Sequence, residues 1–124
     1  MSIIGDLNVC AFVAVTDRER AKTFYGDVLG LTLTSEDPYG IEFALAGARL
    51  RLTPLPDHQP LQHTVLGWNV ADVRATVNAL TAAGIQFERY DFLEQDDLGV
   101  WQSGKASVAW FKDPDGNVLS ISSL

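Results

Sequence analysis

The chain has 124 residues, with nine Lys and Arg against sixteen Asp and Glu and a net charge of −7. Apolar residues at 47% and charged residues at 20% exclude a disordered chain, and the length suits one domain or two very small subdomains with a self-sufficient core. The acidic balance argues against nucleic acid and anionic membranes as partners, since both recruit an excess of Lys and Arg; a cationic ligand stays compatible with it, although acidity mostly serves solubility.

The opening Met1-Ser2-Ile3-Ile4-Gly5-Asp6 lacks a basic region ahead of an apolar run, so no signal peptide is expected. Residues 7–16 then alternate. Leu7, Val9, Ala11, Val13 and Val15 form one apolar face, and Asn8, Cys10, Phe12, Ala14 and Thr16 form the other, which predicts a strand. Cys10 is the one cysteine, so nothing calls for an oxidising compartment. Asp17 is a predicted helix N-cap, and Ala21, Phe24, Tyr25 and Val28 make a helical stripe ended by Gly30. A short strand fits near Leu31–Thr34, before a turn at Asp37-Pro38-Tyr39-Gly40. Ile41, Phe43 and Leu45 alternate with Glu42 and Ala44. After Gly47, Ala48, Leu50 and Leu52 alternate with Arg49, Arg51 and Thr53.

Residues 54–61 hold three of the five prolines and read as a connector. Beyond it the design repeats. Leu66, Trp68 and Val70 form an apolar face, Asp72 caps a helix with Val73, Val77 and Leu80 inward, and Gly84 ends it. Strands are predicted at about Gln86–Tyr90, Val100–Gln102, Ala106–Lys112 and Val118–Ser122. Val15-Thr16-Asp17 matches Val70-Ala71-Asp72 at an offset of 55, and Leu29-Gly30-Leu31 matches Ala83-Gly84-Ile85 at 54. The expected fold class is α+β: one domain over 1–124, built from two tandem β-α-β-β-β modules (5–54 and 62–124) around the connector. No run reaches the 18 apolar residues of a membrane span, so a soluble, cytoplasmic protein is expected.

Val13-Ala14-Val15-Thr16-Asp17 with Arg18-Glu19-Arg20-Ala21 and Phe24-Tyr25, Val28-Leu29-Gly30-Leu31, and the closing Phe111-Lys112-Asp113-Pro114-Asp115-Gly116-Asn117 together resemble the vicinal oxygen chelate superfamily of glyoxalases, bleomycin-resistance proteins and extradiol dioxygenases. The resemblance covers nearly the whole chain. It implies a curved mixed sheet that cups a pocket, helices behind the sheet, and a homodimer with pockets near the subunit contact. Strand parity then turns Cys10, Phe12, Glu42, Arg51, His63, Val65, Val108, Trp110 and Ser120 toward the cup, unless a one-residue bulge reverses part of the set.

Metal-dependent members of that superfamily hold a divalent ion with His, Gln or Glu at four strand positions, which here align with Cys10, Arg51, Val65 and Ser120. A divalent ion needs three or four N or O donors, and this set does not supply them. His63 lies two residues from Val65 with no matching carboxylate, and His58 sits in the connector as a solvent-facing side chain. The resemblance therefore points to the metal-free branch, with no metal and no cofactor.

The groups left for chemistry are few. Cys10 is read as a buried structural thiol, with a nucleophile as the sharper alternative. Glu42 and Arg51 are expected to pair with each other; alternatively Glu42 anchors a cation or acts as a base, and Arg51 puts a fixed charge where a metal would sit. Phe12 and Trp110 offer flat rings worth roughly 0.5–2 kcal/mol each toward a planar or cationic ligand. Trp68 has core parity. The stretch from Tyr90 to Gly99 reads either as a flap or as an edge hairpin. The leading expectation is a metal-free binding protein for a small planar or cationic molecule, acting by sequestration as bleomycin-resistance-like proteins do. Its alternatives are a lyase, isomerase or dioxygenase with non-standard metal ligands, a metal-free catalyst using Cys10, His63 or Glu42, and a regulatory module with a vestigial pocket.

Overall fold

The structure, a computed structural model, describes residues 3–124. It has two compact units that divide between His58 and Gln59. The first runs β1 (Val9–Val15), α1 (Arg18–Thr23) with a π-helical turn (Phe24–Val28), β2 (Thr32–Asp37), β3 (Gly40–Leu45) and β4 (Ala48–Pro54). The second runs β5 (Thr64–Asn69), α2 (Val73–Ala82), β6 (Trp101–Ser103), β7 (Ala106–Lys112) and β8 (Val118–Ser123). Each is one β-α-β-β-β module of an α+β fold.

The two sheets share one topology, β1-β4-β3-β2 and β5-β8-β7-β6. In each, the first strand pairs parallel with the last, because the helix returns the chain along the sheet, and the other pairs are antiparallel. The helices start where their carboxylates allow: Asp17 accepts from the Arg20 amide at 3.0 Å, and Asp72 from the Ala75 amide at 3.0 Å. Past each helix, Gly30 and Gly84 take φ of +79° and +100°.

Alternation decides the core. Val13, Val15, Ile41, Phe43, Leu50 and Leu52 are buried on one face of the first sheet beneath α1, with Ala21 and Tyr25. In the second unit Ala109, Phe111, Leu119 and Ile121 are buried beneath Val73 and Val77 of α2. Trp68 lies opposite Ile121 with the expected parity, but it is only half-buried.

Three local expectations change. The first strand begins at Val9 rather than Leu7, which is exposed. The first helix gives way at Phe24 to a π-helical turn, where the Leu29 amide donates to the Phe24 carbonyl at 2.9 Å. Gly26 lies against the Phe43 ring there, and Tyr25 enters the core beside the same ring. Gln86–Tyr90 is not a strand: it keeps one bridge, Phe87 to Phe111, whose bond runs from the Glu88 amide to the Trp110 carbonyl at 2.7 Å. Among the described residues no helix is long and apolar enough to cross a membrane.

Candidate functional site

On the face of the first sheet opposite α1, charges neutralise one another. Register sets Arg51 between Phe12 on β1 and Glu42 on β3. The Arg51 guanidinium donates to both oxygens of Asp37, at 2.9 and 3.1 Å, and to Glu42 at 3.3 Å. Glu42 also takes Arg49 at 3.5 Å and the Thr34 hydroxyl at 3.2 Å. Asp37 is preset for this, because its Oδ1 also accepts the Tyr39 amide at 2.8 Å in the two-residue turn of the β2–β3 hairpin. The Arg51 and Tyr39 donors hold the Asp37 carboxyl below its ordinary range, and Asp37 raises the Arg51 guanidinium in return. The expected Glu42–Arg51 pair forms, with Asp37 as a second anion.

Phe12 stands beside this cluster, 66% exposed. Cys10 opposes Arg49 and is exposed, contrary to the buried thiol expected, because it lies on the face of β1 opposite the buried Val13 and Val15. Its nearest polar partner is the Ala11 carbonyl, 4.0 Å away.

The second unit has a different character. A hollow of about 220 Å³ is lined by Gln62, His63, Thr64, Tyr90, Phe92, Leu93, Trp110 and Val118. Its rings form one chain: Phe92 to Tyr90 at 5.5 Å, Tyr90 edge-on to Trp110 at 5.7 Å, and Trp110 to Trp101 at 6.4 Å. Burial, aided by the Glu88 charge, raises the Tyr90 phenol above its ordinary value. Nδ1 of His63 lies 3.2 Å from the Thr64 carbonyl oxygen. In the neutral ring Nδ1 is then the donor and Nε2 the acceptor.

A bulge rearranges β5. Thr64 opposes Val118, while Leu66 opposes Leu119 and Gly67 opposes Ser120. The extra residue is Val65, so Thr64 rather than Val65 shares the face of Val118 and Ser120, contrary to simple alternation. Ser120 is 8% exposed, and a Cβ on Gly67 would meet its Oγ at 2.4 Å. Gly67 is thus the residue that gives the Ser120 hydroxyl its room. Val108 is half-buried on β7 between Trp101 and Ser122.

The segment after Tyr90 is tied down. Gln95 accepts from the Tyr90 amide at 2.8 Å and donates to the carbonyls of Glu88 and Gly99 at 3.0 and 2.9 Å. Oδ1 of Asp96 receives the amides of Leu98 and Val100, both at 2.9 Å, and Arg89 donates to the carbonyls of Asp96 and Asp97. This network orients Tyr90 and Phe92 over the hollow.

The four positions aligned with metal ligands do not fit a divalent ion. Arg51 is a cation already held by two carboxylates, Val65 offers no donor atom, Cys10 is a lone thiol on an exposed edge and Ser120 a hydroxyl packed over Gly67. Among the described residues no three His, Cys, Asp or Glu side chains cluster as such an ion requires.

Sequence reasoning missed Asp37, Thr64, Tyr90 and Phe92. Asp37 carried only its turn signal, and Thr64 changed face through a bulge that no local pattern reveals. Tyr90 and Phe92 fell in the stretch read as a flap or an edge hairpin, a reading that gave their rings no role.

Three comparisons bear on this geometry. The family model described as Glyoxalase/Bleomycin resistance protein/Dioxygenase superfamily matches residues 6–121. No curated protein matches the sequence. Among solved structures, a glyoxalase/bleomycin resistance protein from Streptomyces sp. CB03234 is 26% identical, with 94% of this chain and 99% of that one covered and a TM-score of 0.67. Lactoylglutathione lyase from Agrobacterium tumefaciens is 16% identical, covers 98% and 96%, and has a TM-score of 0.74. A glyoxalase family protein from Enterococcus faecalis is 19% identical, covers 97% and 98%, and has a TM-score of 0.72.

Proposed function

Because the chain belongs to the glyoxalase/bleomycin resistance protein/dioxygenase superfamily, we propose that it is a member that binds a small planar or cationic molecule without a metal and acts by sequestration. The observation that carries this reading is the contrast between its polar and aromatic groups. The aligned ligand positions supply no donor set, and the charges nearest Arg51 neutralise one another at 2.9–3.3 Å. The rings of Trp110, Tyr90, Phe92 and Trp101, in contrast, surround or adjoin an open hollow. Flat faces of this kind bind by stacking and burial, which needs no chemical step. A homodimer belongs to the same reading: β1 and β5 are sheet edges, and Val9 and Phe12 are exposed on β1.

The test begins with elemental analysis of the purified, chelator-dialysed protein and thermal-shift scans with Ni, Zn, Mn and Fe(II). Cationic aromatics and aromatic carboxylates are then screened by thermal shift, with each bound compound re-isolated and identified. The expected result is stabilisation by at least one compound that returns unchanged, with no metal requirement. Stoichiometric tight metal with glyoxalase-type turnover overturns the proposal, and silence across both compound classes favours a vestigial pocket.

A further inference from the structure

We propose that the hollow of the second unit selects an uncharged aromatic ring of single-ring size that carries both a hydrogen-bond donor and an acceptor, and discriminates against ions; this rests on the small-molecule binding proposed above and narrows it. Size is the first argument. An apolar cavity of about 150 Å³ holds benzene, and drug-sized ligands need about 300 Å³ or more. The hollow of about 220 Å³ takes one ring with small substituents.

Charge is the second argument. None of the lining residues is Asp, Glu, Lys or Arg. Of the charged residues that neighbour the lining in sequence or on β7, Glu88 pairs with Lys112 at 3.5 Å and Arg89 caps the carbonyls of Asp96 and Asp97, while Asp91 and Glu94 are exposed to solvent and outside the lining. An ion entering would shed water without meeting an opposite charge, and exposed rings return only about 0.5–1 kcal/mol to a cation.

Hydrogen bonding is the third. Among the described residues, the Tyr90 hydroxyl, the Trp110 indole N–H and Nε2 of His63 have no hydrogen-bond partner, although Tyr90 and Trp110 are half-buried. Neither atom is sealed from solvent, so both stay open to a ligand. The three residues that carry these two donors and one acceptor all line the hollow, while the polar groups around Arg51 are used up on each other. A neutral ring bearing a hydroxyl and an amide matches this set; a bare hydrocarbon leaves it unanswered.

The experiment titrates the full-length protein with 4-hydroxybenzamide, benzyltrimethylammonium and benzoate, read by tryptophan fluorescence and calorimetry. 4-Hydroxybenzamide is expected to bind at least tenfold tighter than either ion. Tyr90→Phe and His63→Ala, which remove polar atoms without touching the core, should each weaken it about fivefold and leave any weak cation binding unchanged. Tighter binding of benzyltrimethylammonium, or wild-type affinity of both variants for 4-hydroxybenzamide, overturns the inference while leaving a metal-free binding protein intact. No binding of any of the three overturns the inference as well. If the wider compound screen is also silent, the underlying reading falls with it.

Discussion

Gly67 and Ser120 offer a quantitative test of how the second sheet builds its open face. A methyl group on Gly67 would lie 2.4 Å from the Ser120 Oγ, 3.5 Å from the Ser120 carbonyl oxygen and 3.7 Å from its Cβ. Only the first contact is impossible. Gly67→Ala should gain about 0.4–1 kcal/mol by restricting the unfolded chain. Against this, the hydroxyl is driven from its place in a buried position, an overpacking cost of about 1–3 kcal/mol. The net expectation is a destabilisation of about 1 kcal/mol. Ser120→Ala removes the obstructing atom and leaves the remaining contacts at ordinary distances. The double variant should therefore recover wild-type stability or slightly exceed it, with a coupling of about 2 kcal/mol. Urea unfolding of the four proteins, at unchanged m-value, measures the cycle. Additivity within about 0.5 kcal/mol would refute both the proposed contact and the register that creates it.

Three further outcomes are expected. Asp37 has a depressed carboxyl pKa, held down first by Arg51, so its stabilising contribution is present above the ordinary value of about 3.9 and disappears as pH falls through the lower folded value. Asp37→Asn should thus be less stable than wild type at pH 6–7 (about two units or more above that value), with the gap closing on acidification; a gap that persists at the acid end of the titration contradicts the pairing. Asp113, 4% exposed, accepts the amides of Asp115 and Asn117 at 2.9 Å each and the Asn117 side chain at 2.8 Å. Asp113→Ala should cost about 3 kcal/mol by orphaning buried donors, measured by thermal unfolding, and a loss under about 1 kcal/mol would show that the motif is not a structural turn. Gln95→Ala should raise hydrogen exchange across 90–100 while leaving β7 and β8 protected; unchanged exchange there would mean that Gln95 does not hold the segment.

The modular repeat was readable because it rests on short-range rules. Asp17 and Asp72 cap helices through carboxylates three residues from the amides they receive, and alternation separates Leu50 and Leu52 from Arg49 and Arg51 wherever the pleat is unbroken. The candidate site was only partly readable. Glu42 and Arg51 were placed together because register and parity coincide on β3 and β4. Cys10 went wrong because its face of β1 lies opposite the packed one and is left open, and β5 went wrong at Val65 because one inserted residue moves Thr64 onto the face of Val118.

Local patterning by itself determined the two β-α-β-β-β units and their inward faces. Each depends on residue type at fixed spacing, which backbone geometry converts directly into structure. Tertiary structure alone decided that Asp37 would close on Arg51 from 14 positions away, and that Tyr90 and Phe92 would join Trp110 around a hollow. These contacts depend on strand order, a bulge and a loop in which the Gln95 and Asp96 side chains bond backbone groups two to seven positions away, in a pattern that no period in the sequence announces.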